Sequence, residues 1–183
     1  MKSPTRLLAL LRAINVGGKN IIAKADLIAA FEDLGFENVR TYIQSGNVIF
    51  DSHAFSRTSL TRKIQSELSR RFGYQAQVVV QTSVDYREAL QAAHASWGDR
   101  IGWKHNALFT LKKLDPARIV RDLPVVLGQI EEISIGPGVI FWSVSAKAEP
   151  RSTMAKLVKS PWYRKLTVRN HNTTRRLLEL LDE

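Results

Sequence analysis

Cysteine is absent from this chain of 183 residues. That excludes disulfides, thiolate metal sites and cysteine nucleophiles, and it permits a reducing compartment. Long apolar runs are missing as well. The first hydrophobic stretch, Leu7 to Leu11, stops at Arg12, too short for the apolar part of a signal peptide or for a membrane span. A soluble cytoplasmic protein without a membrane partner is the expectation. Acidic residues are lacking from one region: between Pro150 and Arg176 stand Arg151, Lys156, Lys159, Arg164, Lys165, Arg169, Arg175 and Arg176 and no Asp or Glu. That stretch carries +8 of a formal net charge of +10.

What is present is enough for a buried core. A hydrophobic share of 44% is ordinary for a globular protein, and the length suits one domain or two small ones. The pattern supplies the elements. Leu7 to Leu11 reads as a buried strand. Lys24 to Leu34 places Leu27, Ile28, Phe31 and Leu34 on one helical face with Gly35 as a stop. Val39 to Ser45 and Asn47 to Asp51 form a hairpin about Gly46-Asn47. Arg57 to Phe72 repeats Leu60, Ile64, Leu68 and Phe72 at helical spacing before Gly73, and Gln75 to Gln81 alternates as a strand. Strand, helix, strand, strand, helix, strand is the order of the ferredoxin-like module.

The second half repeats the theme in a looser form. A helix from Ser83 to Ala95, with Ser83 as its cap, precedes a strand from Asn106 to Lys112. Asp115-Pro116 opens a short helix, and Gln129 to Ile135 with Val139 to Ser145 makes a hairpin across Gly136-Pro137-Gly138. Helices from Ser152 to Lys159 and Thr173 to Leu181 finish the chain. The expectation is an α+β fold of two ferredoxin-like halves with mainly antiparallel sheets and C-terminal helices, residues 1–82 and 83–183.

Three polar blocks interrupt this pattern. After the first strand come Arg12, Asn15, Gly17, Gly18, Lys19 and Asn20, where a glycine pair lets backbone N–H groups approach a ligand beside two cations. The second is Gln44-Ser45-Gly46-Asn47, in which turn geometry demands neither Gln44 nor Ser45. The third, Arg169-Asn170-His171-Asn172-Thr173, stands at the start of the last helix, where Asn170, Asn172 or Thr173 can serve as cap. Arginine beside a helix N-terminus suits phosphate or carboxylate.

The stretches Leu11 to Asn20, Thr41 to Val48 and Thr167 to Thr173 resemble the three signature blocks of the DUF1697 family, in the same order and over nearly the whole chain. The resemblance implies a bacterial cytoplasmic α+β protein with ferredoxin-like halves and no assigned activity, cofactor or catalytic residue. Two positions depart from that pattern. Ala13 stands where the family usually has Gly, and His171 where it has Trp; Ala makes a left-handed backbone more costly.

Several chemistries are set aside by the residues. The first loop misses the phosphate-loop pattern G-x-x-x-x-G-K-[ST] at both ends, with Ala13 first and Asn20 where a metal-binding hydroxyl belongs. His53, His94, His105 and His171 lack an i,i+4 pairing or an acidic neighbour, so neither a metal site nor a cofactor is expected. Ser45 has no G-x-S-x-G context. Two functions remain open, beside a purely structural oligomer as a third possibility. One is binding of an anionic ligand, whether RNA, single-stranded DNA or a nucleotide, with Arg12, Asn15, Gly17, Gly18, Lys19, Asn20, Gln44, Ser45, Asn47, Arg169, Asn170, Asn172 and Thr173 as ligand residues. Arg151, Lys156, Lys159, Trp162, Tyr163, Arg164, Lys165, Arg175 and Arg176 would form a nucleic-acid surface. The other is an enzyme for a small phosphorylated or carboxylated metabolite seated in the same polar loops. A structural turn held by its asparagines is the alternative for the first loop.

Overall fold

The computed structural model describes residues 3–44, 46–54, 56–111, 114–124 and 128–183. The chain divides into two compact units, Met1–Asp85 with Leu177–Glu183, and Tyr86–Arg176. The last turns of the C-terminal helix thus belong with the N-terminal unit.

In the first unit, β1 (Thr5–Leu11) leads to α1 (Lys24–Glu32), β2 (Glu37–Tyr42), β3 (Asn47–Ser52), α2 (Arg57–Phe72) and β4 (Val78–Thr82). The sheet is antiparallel in the order β2-β3-β1-β4, the ferredoxin-like arrangement that the element order implies. Alternation along β1 sends Leu7, Ala9 and Leu11 into the core with the buried residues of α1 and α2, while Leu8 and Leu10 on the other face are equally inaccessible. The α2 bounds coincide with those read from the sequence. Ser56 caps the helix by accepting from the Ser59 N–H at 3.2 Å, and Gly73 ends it at φ 66°, where a residue without Cβ is unstrained. β4 gives way to α3 (Ser83–Gln91). The cap there is Thr82 rather than Ser83: its hydroxyl accepts from Asp85 N at 3.1 Å, and its own N–H donates to Asp85 Oδ2 at 3.3 Å.

The second unit repeats the arrangement. Its elements are β5 (Trp103–Thr110), α4 (Pro116–Arg121), β6 (Glu131–Gly136), β7 (Val139–Ser145), α5 (Thr153–Lys159), β8 (Leu166–Asn170) and the start of α6 (His171–Asp182). Short 3-10 turns at Glu149–Arg151 and Pro161–Lys165 flank α5. The sheet is again antiparallel, in the order β6-β7-β5-β8. β8 is absent from the sequence reading. Its alternation is limited to Leu166 and Val168, with Arg169 turned inward on the opposite face, and the cap-rich residues after it suggest a helix start instead.

One buried carboxylate organises the outer layer of this unit. Glu131 is fully inaccessible. It accepts from Trp142 Nε1 at 3.0 Å, from Thr153 N at 3.0 Å and from Thr153 Oγ1 at 2.6 Å. A carboxylate at the first turn of α5 satisfies donors that a short helix leaves open and suits its dipole. α4, α5 and the Pro161–Lys165 turn all lie on this face of the sheet, contributing Ile119, Met154, Leu157 and Trp162 to the cluster around Trp142.

Candidate functional site

The first two polar blocks come together in the first unit. Residues 15–20 form a small hairpin in which Asn15 N donates to the Asn20 carbonyl at 3.1 Å and Lys19 N to the Val16 carbonyl at 3.2 Å. Gly17 (φ 59°) and Gly18 (φ 72°) make the turn, and two successive left-handed residues are what a type I′ turn requires. Asn15 is not offered to a ligand. Its Nδ2 donates to the carbonyls of Ile22 (3.1 Å) and Gln44 (2.8 Å), and its Oδ1 accepts from Ile22 N at 2.8 Å. Asn20 Nδ2 likewise donates to the Ala13 carbonyl at 2.8 Å. Both asparagines therefore act on backbone, as they do in structural turns.

The second block is likewise taken up with holding the fold. Asn47 is fully buried and donates from Nδ2 to the Tyr42 carbonyl at 3.0 Å. Gly46 fits only because it lacks Cβ: such an atom would lie 2.8 Å from Leu11 Cβ and 2.9 Å from Ile14 Cγ1. The Gly46 carbonyl accepts from Leu11 N at 2.8 Å, and Arg12 N donates to the Gln77 carbonyl at 2.9 Å. Ser45 lies outside the described residues. Gly17, Gly18, Lys19 and Gln44 are exposed, together with the apolar Val16, Ile21 and Ile43. The amides of Gly17 and Gly18 have no protein acceptor among the described residues. The backbone is strained around them, with Ala13 at φ 56° and the exposed, β-branched Ile43 at φ 49° in a region that suits glycine.

The third block belongs to the second unit, and its arginine is turned inward. Arg169 is 6% exposed and donates to Thr167 Oγ1 at 3.0 Å and to the Val168 carbonyl at 2.8 Å. Burial draws its pKa down to about 10, against the opposing influence of Tyr86. The expected rim of arginine around the start of α6 therefore loses this member. Asn170 is the cap, accepting from Thr173 N at 2.8 Å. Asn172 is exposed and Thr173 buried, while Arg175 is exposed and Arg176 half-buried on the first turns of α6.

The remaining cations form a layer. Arg151, Lys156, Lys159, Arg164 and Lys165 are all exposed. α4 adds Arg118 and Arg121, which lie outside the acid-free stretch that stands out in the sequence. Trp162 sits in this layer with Lys165 Nζ 4.5 Å and Arg118 Cζ 5.7 Å from its ring centre, and Tyr163 beside it is half-buried. Neither 116–121 nor 150–165 contains an acid. Glu149 and Asp115, paired with Lys104 and Arg121, and the exposed Asp122 after α4 border these stretches.

A polar constellation that spacing along the chain argues against also emerges. His105, Ser143 and Glu132 occupy one cross-strand row of β5, β7 and β6. Ser143 Oγ lies 2.6 Å from His105 Nδ1 and 2.9 Å from His94 Nε2. His94 Nδ1 is 3.1 Å from Ser96 Oγ, which donates to Glu132 at 2.9 Å, and Arg100 is 3.4 Å from the same carboxylate. The linear sequence hides this row, because only strand register aligns its members. Ser143 is wholly buried, so its hydroxyl is a structural bridge and not a nucleophile. Burial lowers the His94 pKa, with His105 and Arg100 acting in the same direction and Glu132 opposing. Nearby, the His171 ring meets Trp97 edge-on at 4.6 Å and leaves its buried Nε2 without a protein partner; burial lowers its pKa too, against the Asn172 hydrogen bond. Among the described residues no group of three or more His, Asp or Glu is placed to hold a metal, and no helix is long and apolar enough to cross a membrane.

The model of the family described as a protein of unknown function (DUF1697) matches residues 5–141. No curated protein matches the chain. Among solved structures it is similar to a conserved bacterial protein from Streptococcus pneumoniae, at 29% identity over 98% of this chain and 99% of that one, with a TM-score of 0.86.

Proposed function

The chain belongs to the DUF1697 family of proteins of unknown function, so its activity has to be read from its own residues, and we propose that it binds nucleic acid through the basic layer of its second unit. The observation that carries this reading is the gathering of α4, α5 and the Pro161–Lys165 turn on one face of one sheet, bearing Arg118, Arg121, Arg151, Lys156, Lys159, Arg164 and Lys165 on two stretches, 116–121 and 150–165, that hold no acid themselves and are bordered by Asp115, Asp122 and Glu149. A predominantly basic surface attracts a polyanion, and displaced counterions supply much of the affinity.

The test is fluorescence anisotropy with labelled nucleic acid at rising salt. Six or more phosphate contacts predict a loss of about 10³-fold or greater between roughly 50 and 200 mM salt. Reversing Lys156 and Lys159 to Glu should weaken binding and flatten the salt slope. Salt-independent affinity, or no binding, overturns the reading.

A second reading rests on Gly17, Gly18 and Lys19. The amides and ammonium of this exposed turn, tied through Asn15 to the Gln44 loop, suit a small phosphorylated or carboxylated metabolite. A ligand found by thermal shift should stabilise the protein by about 2.7 kcal/mol at a hundredfold excess over its Kd, and Lys19→Ala should remove that shift.

A further inference from the structure

The nucleic acid that a surface of this kind takes depends on whether bases have anything to stack on. Single-stranded RNA and DNA are gripped largely by aromatic side chains, and ferredoxin-like modules that bind single strands do so on an open sheet face whose aromatics stack the bases. Here neither face of the second sheet is open. On one, Leu108, Ile140 and Trp142 are fully buried beneath the layer that α4 and α5 build. On the other, Ala107, Phe109 and Phe141 are fully buried, with Tyr86 stacked 5.6 Å from Phe109 and Trp97 edge-on 5.0 Å from Phe141.

The same holds for the rest of the molecule. Leu7, Ala9 and Phe50 on one face of the first sheet, and Leu8, Leu10 and Ile49 on the other, are at most 2% exposed. No aromatic residue belongs to the exposed class among the described residues. Trp162, the aromatic most centrally placed in the basic layer, packs on the cluster below it and carries Lys165 and Arg118 over its ring. Its π-system is engaged by the protein's own cations, an attraction that a base would have to displace.

We infer that the ligand of this layer is a double-stranded nucleic acid held by its phosphates alone, without base stacking or base readout. The inference rests on the nucleic-acid reading above and adds the strandedness. A duplex presents one charge per ~1.7 Å of axis in a stiff array and releases more counterions per contact than a single strand, with slopes of about −0.9 against −0.7 for each phosphate neutralised. A layer of lysine and arginine on a packed scaffold gains from such an array. It gains less from a flexible strand, whose bases it cannot engage.

The experiment compares labelled single-stranded RNA and DNA with the corresponding RNA and DNA duplexes of equal length, on the full-length protein at one salt concentration, with an unrelated sequence of the same length as a further arm. Duplexes should bind at least about tenfold tighter than single strands, with a steeper salt slope. Changing the sequence should leave duplex affinity unaltered, and Trp162→Phe should leave it within about twofold, since Phe keeps the packing while weakening the face that a base would use. Single strands that bind as tightly as duplexes, or a marked sequence preference, overturn the inference while leaving nucleic-acid binding in place. If no nucleic acid binds, both statements fall. Folding of the variant is checked by its melting temperature, and Lys156→Gln supplies a second probe, expected to weaken all duplexes alike.

Discussion

The Asn15 side-chain amide donates to the Gln44 carbonyl across 2.8 Å, joining two loops 29 residues apart in sequence. With its two bonds to Ile22, that one side chain satisfies three backbone groups. Asn15→Ala should therefore cost about 1–3 kcal/mol in urea unfolding, since partly buried partners lose their mates. Asn15→Asp should cost more, because it sets an oxygen against two carbonyls. Lys19→Ala, at the exposed tip, should stay within about 0.5 kcal/mol of the parent. If Asn15→Ala proves as mild as Lys19→Ala, the clasp does not hold the loops.

Replacing Ala13 by Gly should run against the usual trend. At φ 56° an alanine is strained by roughly 1–2 kcal/mol, whereas glycine adds about 0.5–1 kcal/mol of unfolded-state entropy. The expected result is a neutral to ~1 kcal/mol stabilising change, read as the denaturation midpoint. Gly46→Ala tests the opposite case: φ 76° and contacts of 2.8–3.0 Å to Leu11 and Ile14 should make it destabilising by at least about 1–3 kcal/mol.

Acid should weaken the second unit before it weakens the first. The His94 and His171 pKa values lie below the ordinary histidine value when folded, so the unfolded chain binds more protons in that window and stability rises with pH. Their contribution is intact at slightly alkaline pH and is lost as pH falls below about 6.5. His171→Phe should keep or raise stability at pH ~7.5, because it removes a buried nitrogen without a protein partner, and should shrink the acid-induced drop in Tm. The Asp51 carboxyl is different. Burial would raise it, but Arg6 at 3.1 Å and Asn38 at 2.8 Å hold it below its ordinary value, so its contribution persists until pH falls below about 4. An unchanged pH profile in His171→Phe would remove that residue from the account.

Glu131→Ala should be the most damaging of these changes. It strips acceptors from Trp142 Nε1 and from both donors of Thr153 around a fully buried side chain, at a cost of about 3 kcal/mol or more. Because Thr153 opens α5, loss of Glu131 should also loosen the backbone that carries Lys156 and Lys159, visible as faster amide exchange in 153–159.

Much of the architecture was legible because its signals are local. α2 follows from Leu60, Ile64 and Leu68 at steps of four with Ser56 and Gly73 at its ends, and β7 from an uninterrupted apolar run. β8 was not legible, since only Leu166 and Val168 mark its apolar face, too short a run to separate from the helix start that follows. The polar loops were recognisable as unusual, yet their roles were not. Whether Asn15 faces a ligand or a carbonyl depends on Gln44, far off in sequence, and the row of His105, Ser143 and Glu132 exists only through the pairing of three strands.

The arrangement of Glu131 has a corollary for engineering. The anchor of α5 is sealed inside while both cations of that helix stand outside, so the charge of the helix is uncoupled from the contact that anchors it. Lys156 and Lys159 can be repainted, neutral or acidic, with little effect on the scaffold beneath, whereas Lys165 and Arg118 are tied to it through the Trp162 ring.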